Sequence, residues 1–194
     1  ESADRQVFSL APIVFLAPVF LVFAIIPFGS DGFLSKLNVG LLFIIGITSV
    51  NTIAIMMGGW SSRNKFALLG TMRGVAMLIS YEVPMALALT GVVIMAGSLS
   101  LAEIVASQDL PFIIVQPLGF LVFIVAASAE MSRTPFDMIE SESELIGGYN
   151  TEYSGMKFAI FQLAEFIAPL ATAAIVTVLF LGDKPVFNLL QGHV

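Results

Sequence analysis

Between Glu130 and Gly155 the chain reads Glu-Met-Ser-Arg-Thr-Pro-Phe-Asp-Met-Ile-Glu-Ser-Glu-Ser-Glu-Leu-Ile-Gly-Gly-Tyr-Asn-Thr-Glu-Tyr-Ser-Gly. Six carboxylates fall in that stretch: Glu130, Asp137, Glu140, Glu142, Glu144 and Glu152. It lies between two apolar runs, each long enough to cross a bilayer. An acidic run alone reads as a solvated loop. At a membrane surface its self-repulsion is costly, which points to protons, cations or a charged partner. Two further acids lie inside apolar runs, Glu82 in Ser80-Tyr-Glu-Val-Pro84 and Glu165 in Gln162-Leu-Ala-Glu165. A lone ionised carboxylate at such depth costs at least about 2.5 kcal/mol. One buried glutamate can be a protonated structural link between helices. Two of them, with Glu130 closing another span on the same side, favour proton handling. Pro84 frees the carbonyl of Ser80, which can then bind water. Arg73, at the head of the same span as Glu82, is a candidate partner for any of these acids.

The elements that must hold these residues follow from composition. The chain is 58% hydrophobic and 11% charged, with a mean hydropathy of +0.98. A soluble domain of 194 residues could not hide so much apolar surface, so an all-α integral membrane protein is expected. Five spans are readable, at roughly residues 7–26, 38–57, 74–96, 111–129 and 158–181, forming one membrane domain with an acidic loop at 130–157. Pro12 and Pro18 should kink the first. Residues 98–109 are too short and polar to span, and Ser100 with Glu103 fits a capping box for a short surface helix. In the acidic loop, Thr134 as N-cap, Pro135 at the first position and Gly147-Gly148 as stop delimit a further helix. Asp137, Glu140 and Glu144 would share one stripe of it, with Glu142 on another face.

Orientation follows from Lys and Arg. Arg5, Arg63, Lys65, Arg73, Arg133 and Lys157 fall on one side, against Lys36 and Lys184 on the other. The six-residue side, which carries the acidic loop, should be cytoplasmic, or matrix in a mitochondrion. Cysteine is absent and the single histidine is His193, so no iron–sulfur cluster or Cys/His zinc site can be built from this chain alone. No Glu-x-x-His pair supports a carboxylate-bridged metal, so no metal site is expected. No dinucleotide or phosphate-loop motif is present, and the net charge of −6 comes mostly from the loop and gives no sign of nucleic acid.

Taken in order, Gly58-Gly-Trp-Ser-Ser-Arg-Asn-Lys-Phe-Ala-Leu-Leu-Gly70, Arg73, Ser80-Tyr-Glu-Val-Pro84, Ala129-Glu130, Arg133-Thr-Pro-Phe-Asp137, Glu140-Ser-Glu-Ser-Glu144, Gly148-Tyr149, Glu152-Tyr-Ser-Gly155 and Ala164-Glu165 form a long signature. It resembles the quinone-chamber membrane subunit of respiratory complex I, the proton-pumping NADH:quinone oxidoreductase. The likeness covers nearly the whole chain. Met138-Ile139 departs from it, because relatives often place a proline before the glutamate series. The chain begins at Glu1 and is expected to be part of a longer one, lacking helices at both ends.

The resemblance implies a subunit that helps form a quinone chamber, with quinone as substrate and with flavin and iron–sulfur clusters confined to partner subunits. Its partners would be the peripheral-arm iron–sulfur and quinone-site subunits, the adjacent membrane-arm subunits, quinone and the lipid bilayer. The membrane would be a bacterial plasma membrane or the mitochondrial inner membrane. Asp137, Glu140, Glu142, Glu144 and Glu152 would be loop members of a proton route that Glu130, Glu82 and Glu165 continue. Arg133, Phe136, Tyr149, Tyr153 and Phe158 would line the quinone chamber. The same signature suits the homologous subunit of a membrane-bound hydrogenase or a photosynthetic complex, so the electron donor stays open. From another class, a proton-coupled transporter also carries buried glutamates in its helices.

Overall fold

The structure, a computed structural model, describes residues 4–26, 37–132, 136 and 148–182. Among these, helices dominate and no strand occurs. They are α1 (Arg5–Phe23), α2 (Gly40–Ser61), α3 (Lys65–Ala96), α4 (Leu101–Ala106), α5 (Phe112–Val115), α6 (Pro117–Glu130) and α7 (Met156–Val176). A 3-10 turn, Gly148–Asn150, precedes α7, and a π-helical turn, Thr177–Leu181, continues it. The helices α1, α2, α3 and α7 with its π-turn are each long and apolar enough to cross a membrane. In hydrocarbon every backbone polar group must be satisfied within its own segment, which is why apolar runs of this length become helices. The protein is thus an all-α membrane protein.

Side-chain exposure agrees with a lipid environment. Ile94, Leu118 and Leu87 are 76%, 75% and 68% exposed, and many other large aliphatic residues also face outward. Aliphatic residues such as Leu41, Leu89 and Ile104 fill the inside together with small and aromatic ones, including Ala11, Ala54, Ala164, Phe161 and Tyr149.

Helix α2 lies between α1 and α3, α7 packs on α1, and α6 packs on α3. Two ends of the bundle are defined by cross-links. At one, the Asp4 N–H donates to Ser61 O (3.3 Å) and Asn64 Nδ2 donates to Glu152 (2.8 Å). At the other, the Leu41 N–H donates to Leu99 O (3.1 Å) and Gln108 Nε2 donates to Val178 O and Leu179 O (both 3.1 Å). The starts of α1, α3 and α7 therefore share one end, together with Arg5, Arg63, Lys65 and Lys157.

Several local expectations need correction. The third helix begins at Lys65 rather than near Gly74, because Asn64 caps it by accepting from the Phe66 N–H (3.0 Å). It ends at Gly97, whose φ of 69° is the left-handed closing conformation. At 32 residues this helix is about 48 Å long, more than a hydrocarbon core of about 30 Å requires. The apolar run 111–129 is not one helix. It breaks at Gln116 (φ −129°, ψ 61°), since Pro117 disfavours helical geometry in the residue before it and instead starts α6. Ser100 is the N-cap of α4 but its side chain makes no capping bond. Glu103 accepts from the Ser98 hydroxyl instead, and Ser98 Oγ accepts from the Ser100 N–H (3.1 Å). The helix expected over residues 134–147, with Asp137, Glu140, Glu142 and Glu144, lies outside the described residues apart from Phe136, as do Arg133, Lys36 and Lys184.

Candidate functional site

Helix α2 interrupts its own apolar sequence with Thr48-Ser-Val-Asn-Thr52. Thr48, Ser49 and Asn51 of this patch face the half-buried acids. The Ser49 hydroxyl donates to Glu82 Oε1, joining α2 to the middle of α3. Glu82 is seventeen residues beyond Lys65, about 26 Å along the helix, so it sits deeper than a start at Gly74 would have placed it. Helix α6 runs back along α3 and delivers Glu130 to the same place, where its carboxyl interacts with both Glu82 and the Thr48 hydroxyl. Glu130 therefore does not simply close a span at the surface; it stands beside Glu82.

On the other side of α2, the Tyr149 hydroxyl donates to Glu165 (2.7 Å). Tyr149 is 1% exposed and is fixed by aromatic packing. Its ring meets Phe161 edge-on at 5.1 Å between centroids, and Phe15 packs on both. Beyond them Tyr153 stacks on Phe8 at 4.0 Å. Lys157 lies over the same Phe8 ring at 4.7 Å and donates to Ser9 (2.8 Å). These contacts clamp the segment around Gly148–Asn150 against α1 and α7 and so aim Tyr149 at Glu165.

Between the two acid groups lies a cavity of about 80 Å³. Its polar wall includes Thr48, Asn51, Glu130, Tyr149, Glu165 and Thr172, and Phe15, Val19 and Val22 of α1 form an apolar side. Glu82 does not line it but lies behind Thr48 and Ser49. A space with polar groups on opposite walls can hold hydrogen-bonded water, and a carboxyl–hydroxyl chain can pass protons.

The remaining sequence-predicted residues that the structure describes are not gathered here. Glu152 is exposed and pairs with Asn64, stapling the segment before α7 to the α2–α3 turn. Arg73 is exposed on α3, outside the cavity wall. Phe158 is 40% exposed on α7. Phe136 packs edge-on against Tyr81 at 5.2 Å. Tyr153 is buried beside the cavity rather than in its wall; burial pushes its phenol up from the ordinary value, and Ser61 pulls the other way. Sequence reasoning passed over Thr48, Ser49, Asn51 and Thr172. The signal for the first three was present, as four polar residues within five positions at the centre of a membrane helix.

Comparison with known proteins places this chain in a family. A family model described as NADH dehydrogenase matches residues 1–192. An NADH-quinone oxidoreductase subunit of Dehalococcoides mccartyi strain CBDB1 is 56% identical over 182 residues, 94% of this chain and 52% of that protein. The corresponding NADH-quinone oxidoreductase subunit of Bacillus cytotoxicus is 50% identical over 183 residues, again 94% of this chain and 55% of the relative. The chain thus spans about half the length of these curated relatives. With the family model matching nearly its whole length, the chain belongs to the NADH dehydrogenase family.

Proposed function

We propose that this chain is a membrane subunit of a proton-translocating NADH:quinone oxidoreductase, helping to form the quinone chamber and the carboxylate path that links quinone reduction to pumping. The observation that carries the reading is the cavity between α1, α2 and α7, with Glu130 and Glu165 on its wall and Glu82 coupled to Glu130 behind the α2 hydroxyls. Reduction of a quinone to a quinol consumes two electrons and two protons. The electrons would arrive from flavin and iron–sulfur clusters in partner subunits. This chain's part is to hold and move protons.

The acids are spaced for that task. Tyr149 already contacts Glu165 within the 2.6–3.2 Å range of a proton-transferring bond. Ser49 and Thr48 tie Glu82 and Glu130 into a second group, and the cavity lies between the two. The acidic stripe Asp137, Glu140 and Glu144, with Glu142, would feed this pair of groups from the loop. A dianionic quinone intermediate would repel that stripe and drive its protonation or movement. Arg133, Phe136, Tyr149, Tyr153 and Phe158 are proposed to line the quinone end. The Lys/Arg asymmetry puts that end on the cytoplasmic or matrix side.

The test is turnover in the assembled complex, reconstituted into vesicles. Glu82→Gln and Glu165→Gln should each impair quinone reduction and pumping while the complex still assembles. Full activity in both variants would reduce these glutamates to structural hydrogen bonds.

A further inference from the structure

The cavity has one polar group that no atom of the described residues satisfies. Asn51 Oδ1 is buried and has no hydrogen-bond partner among the described residues. An acceptor left in that condition costs about 1–3 kcal/mol. Asn51 follows Thr48 by three positions, so both lie on the face of α2 that lines the cavity. Thr48 leads to Glu130 and Glu82, and Tyr149 and Glu165 line the same cavity from the 3-10 turn and α7. Asn51 is thus a polar side chain of α2, beside Thr48, in the cavity that both acid groups line.

The space suits a hydrogen-bonded cluster of water. Its volume of about 80 Å³ is several times the roughly 10–15 Å³ that one water requires. Each water also needs two to four polar partners, which Asn51, Glu130, Tyr149, Glu165 and Thr172 supply from different helices. The titratable groups facing the cavity are Glu130 from α6, Glu165 from α7 and Tyr149 from the 3-10 turn, with Glu82 of α3 behind the α2 hydroxyls. Helix α1 contributes Phe15, Pro18, Val19 and Val22, none of which titrates.

We propose that Asn51 is a positioning residue that holds a short water chain in this cavity, joining Glu130 to Glu165. A carboxamide fits the role chemically. It offers acceptor and donor together, so it can orient water towards either acid, and it does not titrate, so it cannot retain the proton it helps to pass. The proposal rests on the carboxylate-path reading above.

The test uses the assembled complex in vesicles, with native-gel integrity as the control for assembly. Asn51→Leu keeps the size and removes both polar atoms. It should lower pumping-coupled turnover roughly tenfold or more, the scale of a broken proton relay. Asn51→Asp keeps the shape but adds a titrating group among three glutamates, so it should change the pH profile of turnover, which a purely structural role would not do. Wild-type turnover in Asn51→Leu, or a wild-type pH profile in Asn51→Asp, overturns the proposal. If Asn51→Leu does not assemble, the Asn51→Asp profile decides. Glu82→Gln and Glu165→Gln in the same preparation separate the two levels. Should they lose turnover while Asn51→Leu keeps it, only the role of Asn51 falls. Should they keep full turnover, the carboxylate path falls and takes this proposal with it.

Discussion

Replacing Tyr149 with Phe removes one oxygen and leaves the packing of its ring intact. The ring is held by Phe161 at 5.1 Å and Phe15 at 6.4 Å, contacts that a phenylalanine reproduces. What is lost is the 2.7 Å bond to Glu165. Deleting a donor to a half-buried acid costs up to about 1–3 kcal/mol. If that bond contributes in the rate-limiting proton step, the loss corresponds to about 5- to 150-fold in rate. The assay is quinone reduction with pumping by the reconstituted complex, beside Thr90→Ala as a control. Thr90 is exposed and donates to the Ala86 carbonyl of its own helix (2.8 Å), so its removal should leave turnover within about twofold. Tyr149→Phe with turnover equal to that control would refute the reasoning, because the bond to Glu165 would then carry no functional energy.

Further outcomes follow from the packing. Gly59→Val should destabilise the α2–α3 pair, since even a Cβ there would overlap the Thr71 hydroxyl; the cost is at least about 1–3 kcal/mol, read as loss of assembly, with partial rescue by Thr71→Gly. Asn64→Ala removes both the α3 cap and the bond to Glu152, so amide exchange in the first turn of α3 should accelerate, by an amount matching about 1 kcal/mol. Gln108→Leu leaves the carbonyls of Val178 and Leu179 without their donor, and faster exchange at Gly182 would report it. Because the chain has no cysteine, single cysteines at the exposed positions Lys65 and Ser154 can be labelled with an impermeant reagent. Both should react from the cytoplasmic side and a cysteine at Ser98 from the other; labelling at Ser98 from the cytoplasm would contradict the orientation.

Composition and the length of the apolar runs were enough to determine that this is an all-α membrane protein. The bilayer leaves a chain so apolar little choice but to satisfy its backbone within helices. The buried acids were equally legible, because Glu82, Glu130 and Glu165 are conspicuous in or beside apolar runs. Even the break at Gln116 was written locally, in Pro117. The early start of α3 was missed because Lys65 and Arg73 look like loop residues, and only the Asn64 cap and packing on α2 carry the helix through them. What local pattern could not give was proximity. Ser49 and Glu82 are 33 positions apart, and Asn64 and Glu152 are 88 apart. Helical periodicity places a residue on a face of its own helix but not opposite any other. Only the packing of α2 between α1 and α3, with α6 folded back along α3, brought an ordinary Thr-Ser-Val-Asn run to the Glu82–Glu130 pair and to the cavity that Glu165 also lines.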